Sequence, residues 1–372
     1  MSTPNIPKVR MVKGPARVFV KGACHVLGND VSGQIVKVRA GRALPFEPSN
    51  QWCRLQARLG SGAKLWWADP KQAGTYMWRG LFEQVYALAA DRKTITLMLI
   101  GDTDTGKSTL SIYLANMAMR SGFVPSVIDG DIGQGDLAPP SAIGAAILSK
   151  HIVDLRDVKS QQFEFVGSIS PAGCEYLIAR KLRSMLDRTR KSPTNICIVN
   201  TDGYVRNGGG EYKAMIAKEV QPDAVICLGE NIGLFDSQHR AGSWQILHAM
   251  PSTQAYKSRL ERINHRLDQF LRYTGNGSSM AKLSKIKFNF MDNIFFSSDM
   301  VQPPIKQLER ENIRGMFVGL ASNGNVIGFG VIVDVNLVND TILAQTNIKS
   351  FDTIYLSNIR LSRDRIMEIR IT

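Results

Sequence analysis

The 372-residue chain has no apolar run near the ~20 residues that cross a bilayer, so no membrane association is expected. Its opening, MSTPNIPKVRMVKG, lacks a secretory apolar core, and a soluble, cytoplasmic protein is expected. Cysteine is sparse. Cys24, Cys53, Cys174, Cys197 and Cys227 form no CxxC pair, which argues against a zinc knuckle or a disulfide scaffold and leaves buried free thiols. The five histidines (His25, His151, His239, His248, His265) show no metal-ligand spacing. No Ser-His-Asp or Cys-His set stands out, and there is no internal repeat or low-complexity tract. A hydrophobic share of 44% beside a charged share of 21% excludes wholesale disorder.

Acid is the other scarcity, and it is local. Residues 1–64 carry Lys8, Arg10, Lys13, Arg17, Lys21, Lys37, Arg39, Arg42, Arg54, Arg58 and Lys64 against only Asp30 and Glu47. Nine of the fourteen surplus positive charges therefore sit there, and a polyanionic partner is the natural explanation.

The length exceeds what one core usually supports, so two or three domains are expected. Residues 14–46 mix β-branched residues with Gly and Pro and read as short strands, while 50–80 are polar and Trp-rich. Trp52, Trp66, Trp67 and Trp78 are expected to pack in a core or interface. After a helical stretch, LFEQVYALAADRK, strands and helices alternate from 93 to about 235. The strands are TITLMLIG, SVID, NICIVNTDG and DAVICLG. The helices follow the first glycine or cover 175–186 and 211–220. This alternation predicts a parallel sheet covered by helices. Residues 256–273 predict an amphipathic helix with Leu260, Ile263, Leu267, Phe270 and Leu271 on one side. From 284 onward the pattern returns to strands, with an NGN turn at 323–325. The expected architecture is an α/β core with a parallel sheet (86–280) between a basic β-rich N-terminal domain (1–85) and a β-rich C-terminal domain (281–372).

The segment Gly101-Asp102-Thr103-Asp104-Thr105-Gly106-Lys107-Ser108-Thr109 matches G-x-x-x-x-G-K-[ST] in full. Its glycines let the backbone curl until successive N–H groups face an anion, and the helix that follows aims its positive end at the same point. Lys107 brings a cation to the terminal phosphates and Ser108 a hydroxyl to Mg²⁺. Gly101, Asp104, Thr105, Gly106, Lys107, Ser108 and Thr109 are thus the candidate ATP-binding residues. A second strand ends in Asp129-Gly130-Asp131-Ile132-Gly133-Gln134-Gly135-Asp136. There, one carboxylate could hold Mg²⁺ and the other accept a proton from an attacking hydroxyl; an Asp/Gly turn is the alternative. A third strand ends in Asn200-Thr201-Asp202-Gly203-Tyr204-Val205, where Tyr204 could stack on a base or pack under the next helix.

In their order and spacing, GDTDTGKST, IDGDIGQGD and NTDGYV resemble the polynucleotide 5′-hydroxyl kinases, which include the kinase subunit of a pre-mRNA cleavage factor, an rRNA-processing kinase and archaeal relatives. The resemblance covers about 93–275 best. It implies transfer of the γ-phosphoryl group of ATP to the 5′-hydroxyl of RNA or DNA, with RNA-processing proteins as partners. It assigns Asp131 to the incoming hydroxyl, and Asp129 and Gln134 to the organisation of metal and water; Ser108, Asp129 and Asp131 are the implied metal set. Phe165–Pro171 resembles the substrate clasp, with Ser168 and Ser170 as contacts, although Ser170-Pro171-Ala172 departs from the usual Thr-Pro-Gly. Tyr204 stands where relatives often have Trp. Helix 256–273 resembles the family's lid. Arg259, Arg262 and Arg266 share one of its faces, with Arg262 and Arg266 implied as the lid residues that meet the transferring phosphoryl group. Two other readings stay open: a nucleotide-bound scaffold without chemistry, and a small-molecule P-loop kinase. The scaffold would be expected to lack Lys107 or Asp131, and the small kinase would need no basic flanking domain.

Overall fold

The protein is described from a computed structural model, over residues 8–70, 75–229, 244–252, 256–290, 293–296, 313–362 and 365–368. His239 lies outside these.

In chain order the strands begin with β1 (Val9–Lys13), β2 (Ala16–Lys21), β3 (Cys24–Val26), β4 (Asn29–Asp30), β5 (Ile35–Val38), β6 (Ala43–Pro48), β7 (Arg54–Leu59) and β8 (Lys64–Ala68). Helix α1 (Arg79–Ala90) leads to β9 (Ile95–Gly101), α2 (Lys107–Arg120) and β10 (Pro125–Gly130). Next come β11 (Ala142–Ile147), β12 (Gln162–Phe165), α3 (Glu175–Thr189), β13 (Ile196–Thr201), α4 (Gly209–Val220), β14 (Ala224–Leu228), β15 (Gln245–Ala249) and α5 (Arg259–Thr274). The chain ends in β16 (Ser278–Lys282), β17 (Lys287–Phe290), β18 (Asn293–Phe296), β19 (Met316–Ser322), β20 (Asn325–Asn336), β21 (Thr341–Gln345), β22 (Thr353–Ser362) and β23 (Arg365–Glu368).

The chain divides into two compact units: 1–128, 147–159 and 186–263 form the first, and 129–146, 160–185 and 264–372 the second. In the first, β10, β13, β9, β14 and β15 lie side by side, with β9 between β13 and β14, and the β13–β9, β9–β14 and β14–β15 pairs are parallel. Every residue of β9 and β13 is buried, which is why both read as unbroken apolar runs rather than alternating ones. The parallel sheet is therefore as expected, with β15 as an additional strand that the apolar pattern does not announce.

The N-terminal strands of the same unit form two small antiparallel sheets, β4-β3-β6-β1-β8 and β5-β2-β7. Two of them, β7 and β8, fall in the stretch that composition marks only as polar and Trp-rich. The tryptophan expectation holds in part: Trp78 is buried and Trp66 half-buried, but Trp52 is 72% and Trp67 57% exposed. Arg10 stacks over the Trp67 ring at 4.5 Å, so a cation rather than a core covers that ring. Helix α2 is tied to this region by buried Asn116, whose amide donates to the Leu27 and Ile152 carbonyls at 2.7 Å each. All five cysteines are free; four are buried and Cys53 is half-buried.

In the second unit, β11, β12, β20, β19, β22, β17 and β18 form a mixed sheet, with β21 on β20 and β16 on β21. Phe165, Phe270, Phe317 and Phe329 make one buried cluster, and the C-terminal strands enclose another around Phe288, Val318 and Ile354. The NGN turn joins β19 to β20, with positive φ at Asn323 and Gly324, as a tight hairpin with right-handed strand twist requires. No helix among the described residues is long and apolar enough to cross a membrane.

Candidate active site

The first unit builds an anion cradle at the end of β9. The chain turns at Gly101, where an added Cβ would lie 2.7 Å from the Thr105 hydroxyl oxygen and 2.8 Å from the Leu228 carbonyl oxygen. Glycine is needed there for close approach. At Gly106 it is needed for conformation, since φ is +97° just before α2 begins. Asp104 also sits at positive φ. Thr105 donates its hydroxyl to the Asp102 carbonyl at 2.8 Å, closing the turn. Lys107 is 6% exposed, and its Nζ donates to the Gly101 and Asp102 carbonyls at 2.8 and 2.9 Å. These contacts hold the ammonium over the loop, beside the N-terminal end of α2. Ser108 Oγ receives a 3.3 Å hydrogen bond from Asn200 Nδ2 at the end of β13.

The third motif packs directly on this loop. A Cβ on Gly203 would stand 2.4 Å from Thr103 Oγ1 and 2.7 Å from the Thr103 nitrogen, so only glycine lets the two turns meet. Asp202 is buried and accepts from Tyr204 N, Tyr212 Oη and Lys213 Nζ at 2.8, 2.9 and 2.8 Å. The Lys213 ammonium is itself buried, so this pair fixes the turn from below. Tyr204 is half-buried, with its hydroxyl donating to the Asn207 carbonyl at 2.6 Å and its ring 6.0 Å from that of Tyr212.

Arg262, on the first turn of α5, binds Asp104 of the loop: Nη2 to Oδ2 is 2.6 Å, and Lys257 N donates to the same oxygen at 3.2 Å. Arg206 pairs similarly with Asp102 at 2.7 Å. Of the two arginines assigned to the lid, Arg262 thus stands on the nucleotide loop through its second aspartate.

The second unit holds the acidic segment. Asp129 is buried, and its Oδ2 accepts the Asp136 and Leu137 amides at 2.6 and 3.3 Å. Asp131 Oδ1 accepts the Gly133 and Gln134 amides at 3.1 and 2.8 Å, an Asx turn that fixes its carboxyl group. Gly135 is required because its Cβ would lie 2.7 Å from the Asp131 carbonyl oxygen.

The remainder of α5 seats this segment by its carbonyls. Arg266 Nε donates to Gly133 O at 3.0 Å. Gln269 Nε2 reaches Gly135, Asp136 and Ala138 O at 3.1 to 3.2 Å, and Tyr273 Oη reaches Leu137 O at 2.7 Å. His265 Nε2 lies 3.2 Å from Gln134 O. The inward face of α5 is therefore mainly polar, with Phe270 as its buried apolar member. Of the apolar stripe expected on one side of the helix, Leu260, Ile263 and Leu271 are 65%, 36% and 69% exposed, Leu267 is half-buried and Phe270 is buried. His265, Gln269 and Tyr273, which seat the acidic segment, are passed over by motif and apolar period; their signal is a polar i, i+4, i+8 repeat on the helix that resembles the family's lid.

In the segment that resembles a clasp, Ser168 is buried, and its hydroxyl both donates to Ser170 O and accepts from Ser170 N at 3.0 and 3.1 Å. Ser170 Oγ accepts the Ala172 amide at 3.3 Å. Among the described residues no three His, Cys, Asp or Glu side chains group as a metal cage. A small hard cation needs no such cage when substrate phosphates supply its other ligands.

A β-strand ending in this Gly-Lys-Ser turn, in front of a helix and within a parallel sheet, defines a P-loop nucleotide-binding protein. Residues 101–274 match the family model of the P-loop of the mRNA cleavage and polyadenylation factor CLP1. The polyribonucleotide 5′-hydroxyl-kinase of Pyrococcus abyssi is 31% identical over 277 residues, covering 73% of this chain and 75% of its own. That of Methanocaldococcus jannaschii is 25% identical over 340 residues, 77% and 91% of the two chains. A chain of the wild-type Clp1p–Pcf11p complex shares the fold, with a TM-score of 0.72 over 95% of this chain and 94% of that one at 13% identity. The chain belongs to the Clp1-type polyribonucleotide 5′-hydroxyl-kinase family.

Proposed function

We propose that this protein is an ATP-dependent polyribonucleotide 5′-hydroxyl kinase. The observation that carries the reading is the complete phosphate loop, locked against the Gly203 turn, in a chain whose relatives bear that activity in their names. The loop amides, Lys107 and the N-terminal end of α2 bind the triphosphate of ATP and take up charge on its β- and γ-phosphates. Arg262 and Arg266 neutralise the charge that develops on the transferring group. Asp131 accepts the proton of the 5′-hydroxyl as its oxygen attacks the γ-phosphorus, and ADP leaves. Little covalent help is needed, because positioning and electrostatics suffice for phosphoryl transfer. Ser108, its hydroxyl already oriented by Asn200, would offer a ligand to a magnesium ion on the bound phosphates, and Asp129 and Asp131 are the carboxylates that the family resemblance assigns to that ion. Held there, Mg²⁺ would supply positive charge that offsets the negative charge of the phosphates. Gln134, Ser168, Ser170 and Tyr204 contact the RNA end, and proteins of an RNA-processing assembly are the expected partners.

The test is transfer of labelled γ-phosphate from ATP to 5′-hydroxyl oligoribonucleotides by wild type, Lys107→Ala and Asp131→Asn. Transfer by wild type and its loss in both variants supports the reading. Tight ATP binding without transfer to any acceptor would instead mark a scaffold, and equal labelling of a free nucleoside a small-molecule kinase.

A further inference from the structure

The three-stranded sheet β5-β2-β7 has one buried face and one open face. Along β2 the alternation is strict: Ala16, Val18 and Val20 are buried, and Arg17, Phe19 and Lys21 exposed. Register places Arg17 opposite both Lys37 and Arg58, Phe19 opposite Ile35 and Gln56, and Lys21 opposite Arg54. Opposed residues of an antiparallel pair share a face. One exposed surface thus presents Arg17, Lys21, Lys37, Arg54 and Arg58 around Phe19 and Ile35, without an acidic residue in any of the three strands.

This arrangement costs stability when unliganded, because like charges directly opposite across strands repel. Other N-terminal cations are paired with carboxylates: Arg39 with Asp154 and Asp157, and Lys13 with Glu261. Among the described residues none of the five sheet cations is in an ion pair. At the sheet's centre, Phe19 is 38% and Ile35 69% exposed. Trp52, 72% exposed, lies where the chain enters β7, its carbonyl oxygen 3.2 Å from where a Gly22 Cβ would stand.

We propose that this face binds single-stranded RNA, as a second contact for the acceptor strand away from its 5′ end; this rests on the kinase reading above. Cations spread over a sheet roughly 13 Å long and 10 Å across match a phosphate backbone. A central aromatic flanked by an aliphatic residue gives an unstacked base a flat apolar seat. A duplex keeps its bases inside and would leave that seat unused. An anionic membrane would use the charge but calls for a larger apolar wedge than two side chains.

The experiment uses the full chain, Arg17→Gln/Lys37→Gln/Arg58→Gln and, separately, Phe19→Ala. Circular dichroism confirms that each is folded. Anisotropy of a labelled 20-nucleotide 5′-hydroxyl RNA is read against salt, together with KM for that RNA and for a trinucleotide. The triple variant should lose about two units of the log–log salt slope. In wild type the 20-mer should have a KM at least tenfold below that of the trinucleotide, and in the triple variant this advantage should shrink to within about threefold. Phe19→Ala should weaken 20-mer binding about tenfold with the salt slope kept. An unchanged slope and an unchanged length advantage in the triple variant would overturn the proposal, as would binding to anionic vesicles but not to RNA. If wild type transfers no phosphate yet binds RNA with a slope that depends on these residues, the kinase reading fails and this one stands. Transfer that is indifferent to RNA length and to the triple variant leaves the kinase reading standing and overturns this one.

Discussion

Replacing Gly203 by alanine adds a single carbon where the turn after β13 meets the phosphate loop. That carbon would sit 2.4 Å from Thr103 Oγ1, 2.7 Å from the Thr103 nitrogen and 2.8 Å from its Cα. The hydroxyl could rotate away, but the nitrogen and Cα are backbone and cannot. Ordinary contact is near 3.5–4.0 Å, so the two turns must separate by about 1 Å. Overpacking of this kind costs about 1–3 kcal/mol of stability. The larger effect is on transfer, since a displacement of about 1 Å in groups that position a substrate can reduce the rate about a hundredfold. Asp202, held by Tyr212 and Lys213, keeps the lower turn in place, so the phosphate loop is the part that yields. We expect Gly203→Ala to bind ATP more weakly and to transfer phosphate about a hundredfold more slowly, with a folded circular dichroism spectrum. Isothermal titration with ATP and a γ-phosphate transfer assay measure the two. A variant within twofold of wild type in both would show that the contact between these turns does not govern the site.

Lys107→Ala should cut transfer by about two to three orders of magnitude, and Asp131→Asn by about two to four, both read by product labelling at saturating substrate. Arg262→Ala breaks the pair with Asp104; because both side chains are partly exposed, melting should shift by less than the equivalent of about 1 kcal/mol while kcat falls by two orders or more. A fall in stability with kcat retained would make that arginine purely structural. Burial strongly opposes ionisation of Asp154, but Arg42 and Arg156 outweigh it and hold this carboxyl well below the usual range. Its stabilising effect is thus complete above roughly pH 4 and is lost only as the pH falls toward its folded value. Asp154→Asn should cost about 3 kcal/mol at pH 7, the gap from wild type narrowing as unfolding is repeated toward pH 2; a gap that widens in acid would refute this assignment.

Much of the nucleotide site can be read from residue order because its rules are local. A buried parallel strand must be apolar throughout, and a loop that wraps phosphate must place glycine where a side chain would collide; β9, Gly101 and Gly106 obey both. What escapes such reading follows different physics. Strand β7 alternates Arg54, Gln56 and Arg58 with half-buried Leu55 and Ala57, so an apolar period is too weak to declare it. Helix α5 misleads more deeply. Of its apolar stripe Phe270 is buried, while much of the inner side is made of donors to carbonyls, a requirement visible only once the 133–138 segment lies beneath it. The partnership of Gly203 with Thr103 spans about a hundred positions in the chain, and no periodicity signals a clash that has been avoided.

The seat that α5 gives to the acidic segment touches main chain almost throughout. Arg266, Gln269 and Tyr273 meet carbonyl oxygens, which every amino acid supplies alike. These donors therefore place no demand on side-chain identity, so that outside Gly133 and Gly135, where a Cβ would crowd backbone oxygens, the anchorage tolerates substitution, whereas removing or inserting one residue would put every donor out of step. What this anchorage polices most strictly in such a loop is its length.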